Sequence, residues 1–201
     1  MKVVMWRRFS YALAFVAVAA IAVFAKDVRT IQMRDDCDPA TFNAALNDPE
    51  APPGTPDACV GDGDTTFADF LDEFFSTGSV EKWRFNSSRT DADRAVKAEN
   101  RGGETHTFTP VDHFGGGFVE VLNLGQEPLT ECARRDANGV LVRDKKGNLV
   151  PAFSAFPTFV PPGHSGATIP LDKGTHKFQC CIHPWMRGLI TVKAHAEHDD
   201  H

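Results

Sequence analysis

A short loop near the carboxyl end of the chain brings a thiol, an imidazole and a thioether close together. Cys180, His183 and Met186 lie within seven residues of one another. The segments on either side, 174–179 and 189–194, have the residue types of β-strands. The three side chains are therefore expected on or beside a tight loop that joins two strands.

The same loop carries the donor atoms of a copper site. One thiolate, imidazoles and a weak axial thioether are typical of a blue-copper centre that transfers single electrons, because this mixed set accommodates both Cu(I) and Cu(II). The site needs a second imidazole from a separate strand. His106 is the candidate, in the strand-like segment 105–109 that follows the Gly102-Gly103 turn. Three other histidines are alternative ligands: His113, His164 and His176.

The amino terminus has the layout of a secretory signal. Basic residues, including Arg7 and Arg8, precede an apolar run over 11–24, and Ala25 is small enough to precede a cleavage site. The apolar run is shorter than the roughly 20 residues that a membrane-spanning helix needs. We therefore expect residues 1–25 to be a cleaved signal, a periplasmic or secreted location, and no stable membrane insertion after cleavage.

The charge of the chain limits the kinds of partner it can have. The sequence contains 27 acidic and 21 basic residues, a net charge of −6, and it becomes more acidic once the basic signal is removed. An acidic surface argues against nucleic acid as a ligand and favours a basic partner.

The five cysteines suggest disulfide bonds, because an exported protein meets oxidising conditions in which disulfides persist. If one cysteine is a copper ligand, the remaining four are enough for two disulfides. Cys37 and Cys59 bracket a proline-rich segment and are expected to be paired. Cys132 and one member of the adjacent pair Cys180 and Cys181 are then left.

Residues 66–76 are predicted to form a short amphipathic helix that covers one end of a β-sandwich. The helical spacing of three and four residues is met by five apolar side chains: Phe67, Phe70, Leu71, Phe74 and Phe75. The helix ends an N-terminal extension, residues 26–79, tied by the expected Cys37–Cys59 disulfide. Residues 26–64 of this extension are polar and loop-rich, with little periodicity.

From residue 80 onward the pattern changes to that of an all-β domain. Many short strand-like segments separated by Gly, Pro and Asn favour an antiparallel sandwich, which we place over residues 80–194. Turn signals at Asn138-Gly139 and Lys146-Gly147 predict a polar hairpin excursion over 134–150. The tail, 195–201, is rich in His and Asp and is expected to be disordered.

A family resemblance appears at the two motifs. The run Phe-x-Cys-x-x-His-Pro-Trp-Met-x-Gly-x-Ile-x-Val over 178–192 resembles the ligand loop of small blue (type 1) copper proteins, the plastocyanin- and amicyanin-like cupredoxins. The segment 103–109 is similar to the first-histidine strand of that family. The resemblance covers about residues 80–194 and implies a Greek-key β-sandwich with one copper ion. It implies four ligands: His106, Cys180, His183 and Met186.

Cys181 departs from the family pattern. Neighbouring residues of a strand point to opposite faces, so if Cys180 faces the copper, Cys181 faces away and can pair with Cys132. Two rival interpretations remain at this point: Cys181 could be the ligand in place of Cys180, or both thiolates could bridge a dinuclear copper centre.

The resemblance implies an electron carrier and not an enzyme, because a complete ligand set leaves no open position for a substrate. Its partner would be a redox protein, such as a basic c-type cytochrome or a copper oxidoreductase. His183 would be the electron port, with its ring edge emerging through an apolar patch of Pro184, Trp185 and Phe114. The alternative function is copper storage, delivery or sensing, since a Cys-His-Met set also binds Cu(I) tightly.

Overall fold

A computed structural model describes residues 28–47, 49–50, 55–92, 95–152 and 157–193. The predicted signal, 1–25, and the predicted tail, 195–201, lie outside these residues. Across the described segments, no helix has the length and apolar character needed to cross a bilayer.

The described residues are mainly sheet, with two short helices. The helices are α1 (Pro39–Leu46) and α2 (Phe67–Thr77), with a 3-10 turn at Glu120–Leu122. The strands are β1 (Val28–Arg34), β2 (Arg84–Phe85), β3 (Arg89–Ala92), β4 (Ala95–Asn100), β5 (His106–Thr107), β6 (Thr109–Val111), β7 (Phe159–Val160), β8 (Ile169–Pro170), β9 (Gly174–Gln179) and β10 (Arg187–Val192). The predicted all-β class with a short helix is confirmed, whereas the Greek-key connectivity stays a prediction.

The strands form two four-stranded sheets and one two-stranded sheet. Their orders are β2-β1-β4-β8, β3-β10-β9-β6 and β5-β7. The expectation of an antiparallel sandwich was wrong for two strand pairs, because β1 is parallel to β4 and β3 is parallel to β10. Parallel neighbours need a long crossover connection, and the chain that joins β1 to β4 carries both α-helices.

One hydrophobic core joins the two larger sheets. β4 and β10 each bury every second residue, as strands do when one face meets a core. Between the sheets, Phe108 stacks on Phe178 with ring centroids 4.3 Å apart, and Phe85 meets Phe108 edge-on at 5.4 Å. This packing fixes β9, whose end leads directly into Cys180.

Helix α2 lies where the apolar spacing places it, and its ends are both capped. The Thr66 hydroxyl accepts a hydrogen bond from the Asp69 amide at 3.2 Å, which satisfies one of the free N–H groups of the first turn. Gly78 ends the helix with a φ of +78°, a left-handed conformation that glycine adopts without strain. Phe70 and Phe74 are the buried residues of the helix.

The prediction that residues 26–64 are loop-rich missed two regular elements, β1 and α1. Helix α1 has weak apolar periodicity, since Phe42 is its one fully buried side chain. It is instead started by Asp38, which accepts from the Thr41 amide at 3.0 Å, and by Pro39 in the first turn. Strand β1 pairs with β2 on one side and β4 on the other, so this part of the chain shares a sheet with strands from beyond residue 80.

Candidate metal centre

Three buried donor side chains meet at the end of β9. The candidate metal-ligating atoms of His106, Cys180 and His183 all lie within 4.8 Å of one another. The Cys180 Sγ is 3.9 Å from the Nδ1 of His106 and 3.9 Å from the Nδ1 of His183. The three residues are at most 3% exposed. They form a candidate metal site.

The backbone of two separate segments sets this geometry. After β9 the chain turns back, and the Cys180 amide donates to the Met186 carbonyl at 3.0 Å while the Met186 amide donates to the His183 carbonyl at 2.9 Å. These bonds close the turn before β10 begins. His106 comes from β5, which pairs with β7 so that His106 lies opposite Val160.

The sulfur of Cys180 is in an environment that stabilises a thiolate. The amides of Thr107 and His183 donate to it at 3.4 and 3.5 Å. Burial raises the pKa of the Cys180 thiol, but hydrogen bonds and charge from His106 and His183 outweigh burial and hold the pKa well below its usual range. The thiolate is the form of cysteine that binds a metal.

Met186 is 1% exposed and packs in the same core as Cys180. Its backbone closes the turn that holds Cys180 and His183, so its side chain belongs to the same loop as theirs. Its role as an axial ligand stays a prediction.

The two adjacent cysteines face different parts of the molecule. Cys181 is bonded to Cys132 and packs in a second, smaller core, whereas Cys180 is free and lies in the main core. Cys37 is bonded to Cys59. Both expected disulfides are therefore confirmed, and a disulfide-bonded Cys181 is unavailable either as the thiolate ligand or as one of two bridging thiolates.

A carboxylate from the N-terminal part of the chain lies behind His106. The Nε2 of His106 is 2.7 Å from the Asp35 Oδ2, and both side chains are fully buried. Burial raises the pKa of Asp35, but the hydrogen bond and charge of His106, together with hydrogen bonds from the Gly103 and Glu104 amides, outweigh burial and lower the pKa below its usual value. Burial lowers the pKa of His106, yet hydrogen bonds with Asp35 and Cys180 raise it to about 10.

A second carboxylate, Glu104, lies behind His183. The His183 Nε2 is 3.5 Å from the Glu104 Oε2, and the same oxygen accepts a hydrogen bond from the Trp83 indole. Burial is the largest cause of a raised pKa at Glu104. No pattern in the sequence analysis indicated a role for either carboxylate.

His183 is not at the surface, where the predicted electron port would have to lie. His183 is 3% exposed, and its ring lies against Phe70 of α2 and against Trp185, with centroids 6.3 and 5.4 Å away. Phe114 packs instead against the second core, near Cys181. The prediction of an apolar patch around a solvent-exposed imidazole edge was therefore wrong for this loop.

The three alternative histidines lie away from the donor cluster. His113 and His164 are exposed, and His176 is half-buried. A ring nitrogen of His164 pairs with the Pro162 carbonyl at 2.8 Å, and one of His176 pairs with the Asp172 carbonyl at 2.7 Å. Among the described residues, His106 is the histidine that joins the loop donors.

The comparisons with known proteins return solved structures alone. No protein-family model and no curated protein matches the chain. Amicyanin from Paracoccus versutus is 14% identical, with 57% of this chain and 77% of that chain covered and a TM-score of 0.31. The reduced form of an amicyanin mutant is 15% identical, with 58% and 84% covered and a TM-score of 0.30. Because these TM-scores are low, the function proposed below depends on the residues of the site.

Proposed function

We propose that this chain is an extracytoplasmic cupredoxin that carries single electrons through one type 1 copper ion. The observation that carries the proposal is the buried cluster in which a free thiol stands between two imidazoles, from His106, Cys180 and His183. One thiolate and two imidazoles with a weak axial thioether are the donors of a blue-copper site. Met186 would supply the thioether. The donor set therefore fits copper.

The protein is proposed to hold the same geometry in both oxidation states. When bound, copper supplies a Cu(II)/Cu(I) couple that accepts and returns one electron. His106 comes from β5 and the other three residues from the β9–β10 turn, so two elements of one packed core fix the donors. Cys181 anchors the turn from behind through its bond to Cys132. A rigid donor set lowers the rearrangement that an electron transfer requires.

Burial of the donors favours an electron carrier over copper delivery. Handing a metal ion to another protein requires a ligand that the acceptor can reach, whereas each of the three donors is at most 3% exposed. An enzyme would need an open coordination position. The proposed four-residue set leaves none, so we propose no catalytic activity.

The proposed partner is a basic redox protein, such as a c-type cytochrome or a copper oxidoreductase, that docks over α2. Phe70 and Trp185 lie against His183, so an electron that leaves by way of His183 would have an aromatic ring beside it. On the outer face of the same helix, Phe75 is 60% exposed and Asp69 and Asp72 are exposed. Acidic groups around an apolar side chain suit a basic partner and speed its encounter.

An oxidising compartment is the proposed location. The two disulfides fit a protein that is exported, because disulfides persist outside the cytoplasm. Residues 1–25 are the proposed export signal.

A redox titration in the presence of a chelator tests the carrier function. The copper-loaded protein should pass through repeated reduction and oxidation with a constant copper content. Copper lost to a Cu(I) chelator in each reduced phase would contradict the carrier function and favour copper delivery.

A variant of the exposed ring tests the docking surface. The Phe75→Ser variant should keep its potential but exchange electrons more slowly with a basic cytochrome. An unchanged exchange rate would argue against docking over α2.

A further inference from the structure

The Asp35 carboxylate is held by hydrogen bonds from a distant segment of the chain. It directly follows β1, and its carboxylate accepts from the Gly103 amide at 2.8 Å and from the Glu104 amide at 3.1 Å. The third partner is the His106 Nε2 at 2.7 Å, in a residue 71 positions further along the chain. The Asp35 side chain is fully buried. The Cys37 amide is a fourth donor, to the Asp35 Oδ1 at 3.4 Å. A buried charge that is held by four donors has little freedom to move.

The two glycines of the Gly102-Gly103 turn make this approach possible. A Cβ on Gly102 would lie 1.9 Å from the Asp35 Oδ2, and a Cβ on Gly103 would lie 2.1 Å from the Val60 carbonyl oxygen. A side chain at either position would push the β5 segment away from Asp35. The Cys37–Cys59 disulfide holds the other side of this contact, two residues from Asp35.

The hydrogen bond decides which nitrogen of His106 faces the donor cluster. An ionised carboxylate can only accept, so the Nε2 of His106 carries the proton that it donates to Asp35. The Nδ1, 3.9 Å from the Cys180 sulfur, is then the atom available to a metal. Metal-binding histidines commonly donate their second N–H to a carboxylate, which fixes the ring and makes the ligating nitrogen more basic.

We propose that Asp35 is a positioning residue for the metal centre, which orients His106 and places a buried negative charge behind it. This inference depends on the copper site proposed above. The charge favours Cu(II) over Cu(I), because the more positive ion gains more from a nearby anion. The N-terminal part of the chain then belongs to the metal centre through β1, Asp35 and the adjacent disulfide.

A pair of variants of neighbouring residues tests the proposal. Asp35→Asn keeps the size of the side chain and removes its charge. Asp36→Asn removes a charge one residue away, from a side chain that pairs with Lys82 at the surface and accepts from Thr65. Asp35→Asn should weaken the binding of Cu(II) and of Zn(II) by about 10–100-fold and shift the reduction potential upward. Asp36→Asn should change neither property.

A measurement on the unmodified protein tests the same proposal if Asp35→Asn fails to fold. In the diamagnetic Zn(II)-loaded wild type, nitrogen-15 NMR should show His106 protonated at Nε2 and bound to the metal through Nδ1. The opposite tautomer would overturn the proposal, and so would equal metal affinities and potentials in the two variants.

The same experiments distinguish a failure of the role of Asp35 from a failure of the copper-carrier function. A wild type that binds Zn(II) with the expected His106 tautomer, and loses Zn(II) affinity in Asp35→Asn, would support the role of Asp35 even if Cu(II) gave no thiolate band. That last result would contradict the copper-carrier function alone. A wild type with a thiolate band but no difference between the two variants would contradict the role of Asp35 alone.

Discussion

Each imidazole of the cluster has one nitrogen towards Cys180 and the other towards a buried carboxylate, but the two carboxylates differ. Asp35 is hydrogen-bonded to His106 and to three backbone amides, which stabilise its charged form. Glu104 lies 3.5 Å from His183, and burial raises its pKa. His106 is therefore held more firmly than His183.

At the residue scale, Met186→Leu should keep copper and colour and raise the reduction potential. If Met186 is a thioether ligand, its loss removes electron donation that favours Cu(II), while a Met-to-Leu change in a core costs less than about 1.5 kcal/mol of stability. Voltammetry of the loaded protein measures the shift. The control is Met33→Leu, a change of an equally buried methionine in β1, which should leave the potential unchanged. Loss of copper from Met186→Leu would show that Met186 holds the metal or the fold.

The sequence predicted the donors better than the groups behind them. Cys180 and His183 belong to one short motif, and His106 lies in a strand-like segment after a glycine turn. Glu104 lies two residues before His106, a spacing that places both on one face of a strand, and this signal could have been read. Asp35 offered none, because its contact with His106 arises from tertiary packing.

At the scale of elements, α2 both closes the core and covers His183. Its Phe70 packs against the rings of Phe42, Trp83 and His183. The apolar spacing of the helix was clear in the sequence, so its position along the chain was predictable. Which end of the sandwich it covers was not, because that depends on how the chain before residue 80 enters the sheet through β1.

Phe70→Ala and Phe75→Ala form a matched pair on this helix. Phe70 is 3% exposed and Phe75 is 60% exposed. Removing the buried ring should lower the free energy of unfolding by about 3–5 kcal/mol, and removing the exposed ring should change it by less than about 0.5 kcal/mol. Urea unfolding of the metal-free protein measures both. Equal effects would contradict the packing of α2 described above.

At the scale of the whole molecule, the two disulfides hold the segments that carry the site. Cys181 follows Cys180 directly and bonds to Cys132, and Cys37 lies two residues after Asp35 and bonds to Cys59. The sequence predicted both pairs from the number of cysteines and from strand alternation. It did not predict the parallel β1–β4 pairing, because β1 lies in a stretch whose polar composition favours loops.

The visible absorption spectrum of the Cu(II)-loaded protein tests the central claim most directly. If Cys180 is the thiolate ligand, thiolate-to-Cu(II) charge transfer should make the protein intensely blue or green. Cys180→Ser should abolish the colour, whereas the double variant Cys132→Ser/Cys181→Ser, which removes a disulfide without leaving a new thiol, should keep it. A wild type that binds Cu(II) and stays colourless would contradict the claim.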